Sequence, residues 1–277
     1  MIWPLPQVSG SRLLQALREV EVGASNMYSH GSDGGSVAES YLKWVSDTVR
    51  TLRLLVAPSD LRRLVLTEAY WSVLSIPNPA AAPPLMRAIH DEISARQQDT
   101  KAAVEQVETF LHSWQSLPEP TVLLVPDTNV LLHHEMELEG IPWHDVIDGA
   151  VRALDAVCIV LPLVVIDELD DQKRERARTR ARRALNAIYA YFEHGTNGRA
   201  IVPPGSTARG AVQLRLLIDS PDRIRLPRPD DELVDRAVAL QSLLEQPVDF
   251  VTFDTGAAIR ATVAGLRTHR LVHPDHR

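Results

Sequence analysis

The sequence predicts an α/β domain on a mostly parallel sheet, preceded by an all-α N-terminal domain. Three observations lead there. Residues 1 to about 117 carry helical patterning with few strand signals, while from residue 121 apolar strand-like runs alternate with helical stretches. That alternation implies a parallel sheet with helices on both faces. A Pro-containing connection, "SLPEP" (116–120), separates the two textures, and aspartates stand where several strands should end. The expected domains are 1–117 and 121–277, and 277 residues suffice for two modest ones.

The N-terminal elements follow in order. "SRLLQALREVEV" reads as a short amphipathic helix, and "GSDGGS" (31–36) as a flexible break. Helical "VAESYLKWVSDTVRTLRLLV" comes next. Ser59 or Asp60 is the expected cap of the following helix, "DLRRLVLTEAYWSVLSI", which stops at "PNPAAAPP". A long helix spans about 85 to 114, with Ile89, Ile93, Gln97, Thr100, Val104, Val107, Leu111 and Trp114 stepping by threes and fours along one face. That stripe suits a bundle core, or a homo-oligomer contact through the N-terminal helices.

The C-terminal domain reads as strand 121–126, helical 129–155, strand 157–161, helix 167–192, strands 200–202 and 223–226, helix 230–245, strand 249–253, helix 255–264 and strand 269–272. In parallel sheets, sites lie at the carboxyl ends of the strands.

Composition narrows the function classes. Hydrophobic residues make up 45% and charged residues 23%, ordinary for a soluble globular protein. No apolar run reaches bilayer-spanning length, and the N-terminus "MIWPLPQVSG" lacks a basic segment followed by an apolar one, so no membrane partner is expected. Cys158 is the only cysteine, which makes a reducing cytoplasm the expected location. Within "AVCIVLP" it reads as a small buried hydrophobe rather than a nucleophile. The net charge of −7 argues against an indiscriminate polyanion binder. Arginine outnumbers lysine 26 to 3, a bias that genomic base composition can produce without any nucleic-acid role.

Acids mark four strand-to-helix corners. Asp127 stands in "VPDTN", Asp167 and Glu168 in "LPLVVIDELD", Asp230 and Asp231 in "DDELVDRA", and Asp254 in "VTFDTG". Each alone has an ordinary explanation, because Asp caps helices and acids favour a helix N-terminus. Capping accounts readily for the 230–231 pair but strains to cover both Asp127 and Asp254. Together they would be costly: two carboxylates at ~4 Å repel by about 4 kcal/mol at an effective dielectric near 20. A divalent cation would offset that cost, and all-oxygen ligands suit Mg²⁺ or Mn²⁺. The ten histidines fall in no zinc-like set, and adjacent His133 and His134 would face different sides of a helix.

In this order, "PDTNVLL", "LPLVVIDELD", "DDELVDRA" and "VTFDTG" resemble a PIN-domain ribonuclease over about 121–272. The resemblance implies a Rossmann-like three-layer α/β/α fold. It also implies hydrolysis of RNA phosphodiester bonds, mainly in single strands, with Mg²⁺ or Mn²⁺. Carried over residue by residue, the catalytic acids are Asp127, Glu168, Asp231 and Asp254, with Asp127, Asp231 and Asp254 on the metal. Asp231 is preferred because Leu233, Val234 and Ala237 follow it at the family's spacing; adjacent Asp230 remains an alternative. Thr128 and Asn129 are expected to orient Asp127 as well as cap the next helix. Thr252 or Thr255 is expected to bond a carboxylate or phosphate, and Asp235 to sit in the metal's outer shell. Phe253 stands where the family often has a polar residue. The first 117 residues have no counterpart in minimal family members, which weighs against a toxin role.

An acidic site repels a polyanion, so something must attract the strand. "QKRERARTRARR" (172–183) holds seven basic residues against one Glu and nothing more apolar than alanine. Lys173, Arg174, Arg178 and Arg182 are the expected RNA contacts, gripping phosphates rather than reading bases; the ordinary alternative is a solvated charged helix. A second reading within the fold is a catalytically weak PIN module that binds RNA or assembles through its N-terminal helices. Phosphatase and dinucleotide-binding readings fail. "PDTN" lacks a second aspartate two residues on, no lysine stands at a strand end, and no glycine-rich turn follows the first strand.

Overall fold

The computed structural model describes residues 1–28, 34–76, 83–134, 137–138, 140–147, 152, 155–173, 178–195, 199–202, 209–219 and 223–272. Its chain divides into two units, Met1–Gln115 with Ser242–Glu245, and Ser116–Gln241 with Gln246–Arg277.

Among the described residues, the first unit is built of helices, α1 (Gly10–Ser25), α2 (Gly34–Leu52), α3 (Pro58–Leu64), α4 (Glu68–Leu74) and α5 (Pro83–Gln115), with one isolated β-bridge between Pro4 and Val56. Ser9 caps α1 by accepting from the Arg12 amide. Part of the break anticipated at 31–36 is helix, since α2 begins at Gly34; residues 31–33 lie outside the described residues. The single helix anticipated over 60–76 is two. Its start is capped at Ala57 with Pro58 in the first turn, not at Ser59 or Asp60. It breaks where Thr67 offers its hydroxyl as a new cap, accepting from the Tyr70 amide at 3.2 Å while donating to Glu92 at 2.7 Å. The apolar stripe of α5 is buried inside this unit: Ile89, Ile93, Thr100, Val104, Val107 and Trp114 are all below a tenth exposed, and Gln97 donates to the Ala24 carbonyl.

The second unit is α/β. Its six strands are β1 (Thr121–Pro126), β2 (Ala156–Pro162), β3 (Arg199–Val202), β4 (Val212–Leu217), β5 (Val248–Thr252) and β6 (Arg267–Arg270), in the order β3-β4-β2-β1-β5-β6. Only the β3–β4 pair is antiparallel. β2 is buried at every position, as a largely Val/Ile/Leu run in a doubly covered parallel sheet should be, and β5 is buried likewise, its Asp249 paired with Arg267 and His269. The chain enters at β1, passes to β2, continues to edge strand β3 and returns to β4 between β3 and β2, then crosses to β5 and β6 on the other side of β1. The order therefore reverses at β1 and β5, and the carboxyl ends of such strands frame a crevice.

Between and after the strands run α6 (Thr128–His133), α7 (Trp143–Val146), α8 (Leu163–Gln172), α9 (Arg178–Glu193), α10 (Pro229–Leu244) and α11 (Thr255–Val263). The helix expected over 167–192 starts at Leu163, directly off β2, and is divided between α8 and α9; residues 174–177 lie outside the described residues.

One strand is displaced from expectation. Residues 223–226 are not a strand: Ile224 is 81% exposed, and Arg223 and Arg225 form ion pairs. The strand is β4, paired in parallel with β2. Arg215 in its middle hides it from a hydrophobicity reading, although that arginine is only 3% exposed.

Asp219, Arg223 and Leu226 are fastened to α10 by a largely buried ionic network. Glu232, 1% exposed, accepts from Arg223 at 2.8 and 3.0 Å and from the Leu226 amide at 2.8 Å. Arg223 and Arg236 both reach Asp235, and Arg236 also approaches Asp219. With partners on every side, these charges fix how α10 begins, and α10 carries Asp230 and Asp231 in its first turn.

Candidate active site

β1 delivers Asp127. The ladder extends one residue past the strand, because the Asp127 amide donates to the Val251 carbonyl at 2.8 Å. The residue occupies the cap position of α6, yet its carboxylate makes no capping bond there. Instead Oδ2 accepts from the Thr252 hydroxyl at 2.6 Å, with the Asn129 side-chain amide at 3.5 Å. Asp127 is 3% exposed. Burial pushes its pKa up, the Thr252 hydrogen bond opposes the rise, and the charge of Asp230 adds to it.

Glu168 arrives from the middle of α8. Its Oε2 accepts from the Thr128 hydroxyl at 2.5 Å, so Thr128 orients Glu168, and Thr252 orients Asp127. Burial raises the Glu168 pKa as well, the Thr128 bond opposes it, and the charges of Asp127, Asp230 and Asp171 add to the rise. Three acids from three elements thus lie within electrostatic reach at the carboxyl edge of the sheet. Among the described residues, neither Asp127 nor Glu168 has an ion-pair partner.

A family model described as PIN domain matches residues 124–271, more than half of the 277-residue chain. The chain belongs to the PIN-domain family. PIN domains are in general nucleases and typically use divalent metals. No curated protein matches this one. No helix among its described residues is long and apolar enough to cross a membrane.

Within the PIN domain, the remaining sequence-derived positions separate. Asp230 is the α10 acid whose charge acts on both Asp127 and Glu168; Asp231 is held between Arg260 (3.2 Å) and Arg228 (3.8 Å). Asp254 is exposed and caps α11, its Oδ1 accepting from the Ala257 amide at 2.6 Å. Asp235 belongs to the network around Arg223 and Arg236. Lys173 pairs with Asp170, Arg182 is exposed on α9, and the side chains of Arg174 and Arg178 lie outside the described residues. The start of α9 is nonetheless anchored against α6, since Arg180 donates to the Leu132 carbonyl at 3.2 Å.

The donor set fits a hard divalent cation. Buried charges are normally paired or bound to metal, and here one buried carboxylate, Asp127, and one half-buried, Glu168, feel the charge of a third, Asp230, with all-oxygen chemistry. Among the described residues, no three His, Cys, Asp or Glu side chains already stand close enough to enclose an ion. Arg260 explains part of that. It holds Asp230 at 2.5 Å together with Asp231, a role the sequence reading missed. The available signal was an arginine six residues after Asp254, on the helix that this aspartate caps.

Proposed function

We propose that this PIN domain, residues 121–277, is a metal-dependent endoribonuclease acting mainly on single-stranded RNA, with residues 1–117 as an appended helical domain. The observation that carries this reading is the pair of Asp127, buried, and Glu168, half-buried, within electrostatic reach of each other at the carboxyl edge of the sheet and with no ion-pair partner for either among the described residues. Asp127, Glu168 and Asp230 would hold Mg²⁺ or Mn²⁺, with Asp231 and Asp254 as outer contributors. When bound, the cation lowers the pKa of a water and offsets charge on the phosphate.

The chain's own groups have defined tasks. Thr252 orients Asp127 and favours its ionised form, and Thr128 does the same for Glu168. Glu168, with its raised pKa, is suited to receive a proton from the attacking water. The basic run around Lys173, Arg174, Arg178 and Arg182 supplies the attraction that an acidic crevice lacks, through phosphates rather than bases.

The test is cleavage of single-stranded RNA by the full chain with Mn²⁺ and with chelator. Wild type should cut only with the metal, and folded Asp127→Asn should lose nearly all cutting. Equal metal-dependent cutting by the variant would reject the site. RNA binding without turnover in wild type would favour an RNA-binding or assembly module.

A further inference from the structure

The cations near the acidic crevice are unevenly distributed. Asp231 is bracketed by Arg228 and Arg260, Asp230 is held by Arg260 alone, and Asp127 and Glu168 have no ion pair among the described residues. Among the described residues, Arg260 is therefore the guanidinium that pairs with Asp230, and it reaches the α10 acids from α11.

Its position follows from α11. Asp254 caps that helix, and Arg260 lies in its last turn. Helical side chains lean towards the N-terminus, which brings the guanidinium back over Gly256. A Cβ on Gly256 would meet Asp254 Oδ1 at 3.1 Å and Arg260 Nη1 at 3.4 Å. A side chain there would crowd the Asp254 carboxylate, while the arginine lies at ordinary contact distance above the first turn. The grip is good on one carboxylate and poor on the other. Nη2 donates to Asp230 Oδ2 at 2.5 Å. Nε lies 3.2 Å from Asp231 Oδ1 but is buried without a hydrogen bond. A buried donor left unbonded carries a desolvation cost that its release into water would recover.

We propose that Arg260 is an internal counter-ion of the site: it holds Asp230 when no divalent cation is bound, and must release it before Asp127, Glu168 and Asp230 can share one. The inference rests on the nuclease reading and adds a device to it. The guanidinium and the divalent cation compete for the same carboxylate, so metal occupancy depends on how firmly Arg260 holds. Acids that would otherwise repel one another stay folded in the metal-free protein, and the affinity for the cation is lowered accordingly. Once released, Arg260 keeps its charge at the rim of the crevice, on the path of a phosphate backbone.

Calorimetric titration of the full chain with Mn²⁺, in the absence of RNA, tests this. Arg260→Gln should bind Mn²⁺ about two- to tenfold more tightly than wild type, the scale of a partly exposed ion pair. Arg260→Lys, which keeps a charge but loses the fork, should fall between them. Equal or weaker binding by folded Arg260→Gln would overturn the proposal and make the arginine a scaffold. Should Arg260→Gln fail to fold, Arg260→Lys decides alone: affinity above wild type supports competition, and affinity at or below it overturns it. Asp127→Asn separates the two readings. If wild type binds Mn²⁺, Asp127→Asn does not, and Arg260→Gln matches wild type, only the counter-ion proposal falls. If folded wild type and Arg260→Gln both fail to bind Mn²⁺, the metal site itself falls, and this proposal with it.

Discussion

Thr252 donates its hydroxyl to Asp127 Oδ2 at 2.6 Å, joining the ends of two neighbouring parallel strands that lie 125 positions apart in the chain. The same hydroxyl accepts from the Asp254 amide at 2.9 Å. One buried side chain therefore sets the orientation of the central carboxylate and the start of α11.

That bond favours the ionised form of Asp127. Thr252→Val should raise the Asp127 pKa further, so the acid limb of the kcat/KM profile should move to higher pH. A hydrogen bond to a charged group implies a shift of about one to two pH units. Thr252→Ser should retain the wild-type limb. A Thr252→Val profile superimposable on wild type would remove Thr252 from the site.

Because burial raises the Asp127 pKa above its unfolded value, the folded state holds that proton longer than the unfolded chain. Stability from this group is present at low pH and lost as pH rises through the folded pKa. Without divalent cations, Asp127→Asn should therefore melt above wild type at pH 7, with the gap closing as the medium is acidified towards pH ~4. Mn²⁺ should raise the melting temperature of wild type and leave the variant unmoved. A variant that melts below wild type at pH 7 would contradict the burial argument.

The two α10 acids are distinguishable. Asp230 acts on both Asp127 and Glu168, while Asp231 already has two arginines. Asp230→Asn should lose more cleavage and more Mn²⁺ affinity than Asp231→Asn. The reverse ranking, in parallel titrations, would return the third position to Asp231.

Glu232 tests the scaffold rather than the chemistry. Glu232→Ala removes the acceptor shared by Arg223 and the Leu226 amide and the charge paired with Arg236, and should cost about 3–5 kcal/mol in urea unfolding. A loss below ~1 kcal/mol would mean the network is easily replaced.

Neutralising Arg174, Arg178 and Arg182 together should weaken RNA binding. If all three meet phosphates of a single strand, the log–log salt slope should flatten by about two. An unchanged slope would take the basic run out of RNA recognition.

Local pattern made much of the architecture readable. "TVLLVP" and "VDFVT" read as strands because short runs dominated by Val, Leu and Phe favour burial, and the acids that follow fall at strand ends by sequence alone. Other features depended on distant partners. β4 was hidden by Arg215, whose charge reads as exposed until the fold buries it. "RIRLPRP" looked like a strand because its alternation was real, but its arginines serve Glu232 and Asp167 instead of a sheet. Thr67 carried a cap signal that an apolar helix reading overrode.

The sequence by itself determined which residue types stand at the sheet's carboxyl edge, since strand periodicity and helix starts are local properties. Only the tertiary structure decided their partners: Asp254 as a cap, Asp127 as a buried carboxylate held by Thr252, Thr128 on Glu168, and Arg260 on Asp230. The physical reason is that pairing energies depend on distance and desolvation, and both are set by elements far apart in the chain.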